Sequence, residues 1–222
     1  MSEPLKIDVW SDIACPWCYI GKRRLEAGIA AYAAEPGRPP VEVEYHSFQL
    51  APDTPVDFEG SEVDFLVGHK RLSEEQVHGM LGRVTAIAEE EGLHYDFDAL
   101  RHTNTVKAHQ LLHYAKAHGV QLEAKERLLR AYFTEGRHVG RPEDLADLAA
   151  ELGLDREDVL RSLADDEYLA AVKADERTAV GYGIQGVPFF VIDGRYGLSG
   201  AHPARVFTEA LATAAAERPA AA

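Results

Sequence analysis

The tetrapeptide Cys15-Pro16-Trp17-Cys18 constrains this chain more than any other stretch. It holds both cysteines, and it stands where a strand gives way to a helix. Leu5–Trp10 has the β-rich make-up of a strand, and Tyr19 to Ala34 reads as a helix. If Cys15 caps that helix, Pro16 takes its first position, where a missing N–H costs nothing. The unpaired N–H groups of Trp17 and Cys18, with the positive end of the helix dipole, then face the Cys15 sulfur and favour its thiolate. Cys18 follows one turn later, within the roughly 4.4–6.8 Å Cα separation that a disulfide spans. Cys15 is thus the expected nucleophile and Cys18 the buried resolving thiol. Three other readings compete. A structural crosslink over two intervening residues would restrain little, because its effect grows with loop length. A structural zinc site wants four Cys or His ligands, and there is no second Cys pair. Inert thiols are the third.

Charge narrows the partners. Lysines and arginines number 23 against 37 aspartates and glutamates, a formal charge of −14. An acidic surface disfavours nucleic acid and anionic membrane as partners. The N-terminus lacks an apolar secretory core and a small-residue cleavage pattern, and the longest apolar run, Val187 to Ile192, is far too short to span a bilayer. The expectation is a cytoplasmic protein. In a reducing compartment a lone Cys pair is more often catalytic than structural.

Along the chain, Pro36-Gly37-Arg38-Pro39-Pro40 stops the first helix. Val41 to His46 alternates apolar and polar residues like a half-buried strand, so strand, helix and strand predict a right-handed parallel βαβ unit. From Gly60 to Gly183 nearly everything reads as helix. Ser73-Glu74-Glu75-Gln76 is a capping box, Asn104 and Asp155 are expected caps, and a last helix is expected from about Asp166 to Val180. Val187–Ile192 then reads as a buried strand, Asp193-Gly194 as a hairpin turn, Arg195–Leu198 as the return strand, and His202-Pro203 as the start of a final helix. The tail from Arg218 reads as frayed.

Certain motifs carry a resemblance across nearly the whole chain. They are Ser11-Asp12 leading into Cys15-Pro16-Trp17-Cys18-Tyr19-Ile20-Gly21, then Asn104-Thr105 with Ala108-His109, Ala131-Tyr132-Phe133 with Glu135-Gly136, and Gly186-Val187-Pro188-Phe189-Phe190-Val191-Ile192. The sequence resembles the thioredoxin superfamily with a helical insertion of the DsbA kind, and within it the FrnE-like branch, related to the 2-hydroxychromene-2-carboxylate isomerases. The resemblance implies an α/β thioredoxin fold with a large all-helical insertion. Residues 1–59 and 184–222 would form the discontinuous thioredoxin-like domain and residues 60–183 the insertion. It also implies a cis Val187-Pro188 bond facing the cysteines. The sequence supplies its own motive, since a proline opening a buried strand lacks a ladder donor. The Val187 backbone would then be open to an extended substrate beside Cys15.

By the same analogy, Pro16 and Trp17 set the redox poise. Trp17 cannot donate a proton or charge, so a lowered but not extreme Cys15 pKa is expected. Relatives often place a buried carboxylate near the site. The position six before Cys15 is Val9, which leaves Asp12 as the nearest candidate, with a loop or cap role as its alternative. Asn104 and His109 would line the groove by resemblance, against plain roles as a cap and a surface or packed histidine. His109 and His113 are four apart, but without a third ligand a polar helix face is the better reading, and no metal is expected. Gly181-Tyr182-Gly183-Ile184-Gln185-Gly186 matches Gly-x-Gly-x-x-Gly, yet it follows a helix and precedes a strand, the reverse of a dinucleotide site.

The function that emerges is a thiol–disulfide oxidoreductase or isomerase. Its dithiol is the redox centre without metal or organic cofactor, and its substrates are protein or small-molecule disulfides and thiols, as a monomer or homodimer. The rivals are a glutathione-dependent isomerase or transferase on a small aromatic or polyketide substrate, and a non-catalytic binding module. Isomerase and transferase relatives typically carry serine at the nucleophile position, so the paired cysteines favour redox chemistry.

Overall fold

The computed structural model describes residues 3–218. Strand β1 (Leu5–Ser11) runs through the Cys motif into helix α1 (Pro16–Ala33), and β2 (Val41–Ser47) follows. β2 pairs parallel with β1, Val9 opposite Tyr45, which completes the expected βαβ unit. Helices α2 (Glu62–Lys70), α3 (Glu74–Glu90), α4 (Val106–Ala117), α5 (Gln121–Phe133), α6 (Pro142–Ala150), α7 (Arg156–Ala164) and α8 (Leu169–Gly181) come next. The chain then returns to the sheet as β3 (Phe189–Ile192) and β4 (Tyr196–Ser199) and ends with α9 (Ala204–Ala216). The sheet order is β2-β1-β3-β4, with β3 antiparallel to β1 and β4 antiparallel to β3. This is the mixed sheet of a thioredoxin fold with a run of helices inserted between β2 and β3.

Alternation along β1 decides the layers. Leu5, Ile7 and Val9 pack with Leu25 and Tyr32 of α1, Phe190 and Ile192 of β3, and Phe207 and Leu211 of α9. Trp10 and Val191, on the opposite face, meet Ala179 of α8 and Ile184. A third cluster fills the inserted helices, and Ile13, Tyr19 and Ile20 belong to it. α1 therefore starts in the helical core and ends in the sheet core. The cysteines sit at that seam.

Local chemistry accounts for most boundaries, including those that differ from expectation. The Ser73–Gln76 capping box is present, and Ser61 with Asp64 makes a second at the head of α2 that the sequence reading missed. β3 begins at Phe189, not Val187, because Pro188 has no N–H for the ladder. α9 begins at Ala204, and Pro203 only caps it. α8 begins at Leu169, since Asp166 takes a left-handed φ of 52° and breaks the helical path. Asn104 is not the N-cap, which is Thr105, but its Oδ1 accepts the Val106 N–H at 2.9 Å. Arg218 is not frayed: it donates to the carbonyls of Glu3 at 2.7 Å and Pro4 at 2.9 Å and pairs with Asp193. The rest of the tail, residues 219–222, lies outside the described residues. Among the described residues no helix is long and apolar enough to cross a membrane.

Candidate active site

Cys15 is the N-cap of α1, with extended backbone angles, and Pro16 opens the helix. The expected sulfur cap is not made. The Cys18 N–H donates to the Cys15 carbonyl at 3.0 Å, while the Cys15 sulfur turns to the Val187 carbonyl oxygen at 3.5 Å. The Val187-Pro188 bond is cis, as the resemblance implied. Pro188 rests against α1 where only glycine fits. A Cβ on Gly21 would stand 2.9 Å from Pro188 Cγ and 3.3 Å from Phe190 Cζ.

Both cysteines are free thiols, and both are buried. They differ in outlook. Cys15, with Pro16, Trp17 and Val187, lines a cavity of about 490 Å³; Cys18 stands behind it. Trp17 is 41% exposed and forms part of the rim. The far wall comes from the inserted segment, with Phe65 and Leu66 of α2, Met80, Leu81 and Val84 of α3, and Phe97 of the loop before α4. Lys70 and Arg83 are its cationic edge, with His69 beside them, and its two carboxylates, Glu62 and Asp12, are each engaged by a histidine. None of this wall was read from the sequence, because apolar residues on α2 and α3 look like any core stripe until a neighbour is missing.

The two thiols ionise as a pair. Burial pushes Cys15 well up, and the Cys18 sulfur beside it adds to the rise. Burial also opposes ionisation of Cys18, but the hydrogen bond from Cys15, the Lys125 ammonium and the Ser11 hydroxyl bring it below the ordinary thiol value. Cys15 is thus held up and Cys18 down, whereas the sequence predicts a lowered Cys15. The physical reason is first burial and then the Cys18 sulfur; the Cys15 sulfur makes no cap and lies instead against Val187 O.

Asp12 sits under this pair, fully buried. It accepts from the Ile13 N–H at 2.7 Å, the Leu50 N–H at 2.8 Å and His109 Nε2 at 3.1 Å. Burial works against its charge, but His109 and these donors hold its carboxyl below the usual range. His109 is therefore no surface residue on a polar face. It is buried on α4, and its Nδ1 has no partner. His113 is likewise drawn in, its Nε2 3.0 Å from Asp175. Asn104 stays outside the cavity, its amide donating to the carbonyls of Pro52 and Thr54 and tying that loop to α4. Tyr95, which no motif pointed to, donates to the Pro16 carbonyl at 2.7 Å. Away from the cysteines, Asp8, Glu44 and His46 bring ligand atoms within 4.8 Å of one another, but Lys6 bridges the two carboxylates at 3.1 and 3.0 Å.

A dithiol at the start of a helix, opposed by a cis-proline loop on a four-stranded mixed sheet, defines a thioredoxin-fold protein of the dithiol kind. The model of the DSBA-like thioredoxin domain matches residues 6–212, and the chain belongs to that family. A probable DsbA oxidoreductase of Streptomyces coelicolor is 40% identical and superposes with a TM-score of 0.89, over 98% of this chain and 93% of that one. A 2-hydroxychromene-2-carboxylate isomerase shares the fold at 17% identity, with a TM-score of 0.70 over 94% of each chain. The Bacillus subtilis protein YwbO is 29% identical over 150 residues, 67% of this chain. The chain spans just under two thirds, 66%, of that relative's length.

Proposed function

We propose that the protein is a thiol–disulfide oxidoreductase in which Cys15 exchanges with substrate and Cys18 resolves the mixed disulfide. The observation that carries this reading is the asymmetry of the pair: Cys15 lines the cavity beside Val187, and Cys18 lies behind it. In the reducing direction Cys15 gives its proton up, attacks a substrate disulfide and expels one thiolate. Cys18 then attacks the Cys15 sulfur, the bond to substrate breaks, and the second thiolate leaves. Two electrons pass from the cysteines to the substrate. The reverse sequence oxidises a dithiol. A cavity of about 490 Å³ suits a small disulfide such as that of glutathione or a short extended segment. The Val187 carbonyl is the backbone group such a segment would meet first.

Equilibration with glutathione redox buffers tests this, followed by the fluorescence of Trp10 and Trp17. A midpoint between about −120 and −200 mV marks an oxidase or isomerase, and one near about −270 mV a reductase. A pair that never exchanges with glutathione ends the proposal. The enclosed, largely apolar wall favours one second reading, a glutathione-dependent isomerase or transferase for a small aromatic substrate. Cys15→Ser separates the two: it abolishes disulfide exchange but would spare an isomerase whose relatives use serine there.

A further inference from the structure

Tyr95 lies in the segment between α3 and α4, far in sequence from the cysteines, yet its hydroxyl donates to the Pro16 carbonyl at 2.7 Å. Among the described residues it is the one side chain that bonds the backbone of the Pro16-Trp17 dipeptide. Its own position is fixed from several sides. The ring packs on Phe133 with centroids 4.8 Å apart, lies over Tyr19 of α1 at 6.2 Å and meets the edge of Phe97 at 5.6 Å. Next to it in the chain, the Asp96 N–H donates to the Phe133 carbonyl at the end of α5, at 2.7 Å. A ring packed on several sides keeps one rotamer, so the hydroxyl is delivered to a fixed place. Burial holds the phenol well above its ordinary value, and Cys15 and Cys18 add to the rise, so the hydroxyl stays a donor at neutral and mildly alkaline pH.

The carbonyl it holds is part of the covalent ring that a Cys15–Cys18 disulfide closes. In the dithiol the Cys18 N–H already donates to the Cys15 carbonyl at 3.0 Å, and the two sulfurs interact. The held conformation is therefore near the closed one. A loop ordered beforehand has less freedom to lose when sulfur meets sulfur, which raises the effective concentration of Cys18 at Cys15. Such coupling is reciprocal: closing the ring strengthens the Tyr95–Pro16 bond in turn.

We propose that Tyr95 is a positioning residue for the dithiol: through the Pro16 carbonyl it holds the Cys-Pro-Trp-Cys loop in the shape that brings Cys18 to the Cys15 sulfur, favouring the intramolecular disulfide and speeding substrate release. This rests on the oxidoreductase reading and deepens its second step. In that step the Cys18 thiol gives up its proton and attacks the Cys15 sulfur of the mixed disulfide. The bond between Cys15 and substrate breaks, the Cys15–Cys18 bond forms, and the departing thiolate takes up a proton. Tyr95 exchanges neither proton nor electron.

The test is Tyr95→Phe, which deletes the hydroxyl and keeps the ring packing. Its control is Tyr19→Phe, which deletes the neighbouring hydroxyl that donates to Glu126. Wild type and both variants are equilibrated with glutathione redox buffers, quenched with acid and read by intact mass. In Tyr95→Phe the equilibrium shifts about three- to tenfold toward the dithiol, the range one hydrogen bond covers, and the adduct with one glutathione persists longer by a similar factor. Tyr19→Phe keeps the wild-type equilibrium. An unchanged equilibrium and adduct lifetime in folded Tyr95→Phe overturn the proposal whatever its Tm, since a residue that only braces the fold moves Tm and not the ratio of dithiol to disulfide. An equal shift in Tyr19→Phe overturns it too, by assigning the effect to the aromatic cluster. Should Tyr95→Phe not fold, the wild type answers by NMR: the Tyr95 hydroxyl proton exchanges with solvent about threefold or more slowly in the disulfide than in the dithiol, and equal exchange overturns the proposal. A wild type that never exchanges with glutathione ends the oxidoreductase reading and this proposal with it. One that exchanges while Tyr95→Phe matches it ends this proposal alone.

Discussion

The Cys15 sulfur and the Val187 carbonyl oxygen stand 3.5 Å apart, although 172 residues separate them in the chain. The contact joins the start of α1 to the loop before β3 and fixes which sulfur meets an incoming disulfide. Cys18 has no such opening. In Cys18→Ser, attack by Cys15 goes forward and resolution fails, so incubation with oxidised glutathione leaves a stable adduct of one glutathione per chain, visible by intact mass. Cys15→Ser gives no adduct. Adducts of equal yield on both variants would mean that the sulfurs are interchangeable.

The cavity edge makes a prediction about substrate charge. Its cations, Lys70 and Arg83, face a space whose carboxylates are both engaged by histidines. A disulfide bearing carboxylates is favoured over a neutral one. Each exposed charge contact contributes at most about 1 kcal/mol, so the double variant Lys70→Gln/Arg83→Gln loses up to about thirtyfold in kcat/KM on oxidised glutathione. Turnover of the neutral bis(2-hydroxyethyl) disulfide stays level. Equal losses on both substrates would assign these residues to the fold.

Much of this arrangement was legible in the sequence, for a physical reason. The strand periodicity, the Cys-Pro-Trp-Cys join and the Val-Pro entry to β3 are local signals, and each element they mark is present. What stayed hidden depends on which faces meet. Lys125 stands in the charged run Glu123-Ala124-Lys125-Glu126-Arg127, yet it is buried on the same stripe as Ala124, Leu128 and Leu129, and that phase is the one signal the sequence carries. His109 and His113 read as a solvated face because nothing local announces Asp12 and Asp175 across the helix. The orientation of the Cys15 sulfur follows from Val187, which no reading of α1 alone contains.

Two glycines of α1 separate packing from chemistry. A Cβ at Gly28 would lie 2.7 Å from both the Ala204 carbonyl and Phe207 Cβ, deep in the contact with α9. One at Gly21 would press on Pro188 and Phe190. Each alanine substitution overpacks its site and costs about 1–3 kcal/mol, or a few degrees in Tm. Only Gly21→Ala displaces the proline loop opposite Cys15, so it also slows exchange with oxidised glutathione. Gly28→Ala keeps the rate per folded molecule. Equal rates in both variants would show that the loop tolerates the displacement.

His46 links the sheet to the inserted helices and confers a pH dependence distinct from that of the thiols. Its Nδ1 lies 2.9 Å from Asp175 of α8 and its Nε2 2.7 Å from Asp8 of β1, while Trp10 stacks on its ring at 4.6 Å. Burial alone would lower its pKa, but Asp175 and then Asp8 raise it to about 9. A histidine whose folded value exceeds its unfolded one contributes stability that is complete below the unfolded value and fades as pH climbs through the folded one. The window here runs from about 6.5 to about 9, and the contribution at its acid end is roughly 3 kcal/mol. Urea midpoints therefore fall across that window. In Asp175→Asn the midpoint at neutral pH is lower and the slope through the window is shallower, because most of the elevation of His46 is gone. In Trp17→Phe, Trp10 emission reports the same event, since the imidazolium stacked on it quenches and the neutral ring does not. An emission midpoint near the ordinary histidine value would mean that Asp175 and Asp8 do not hold the proton on His46.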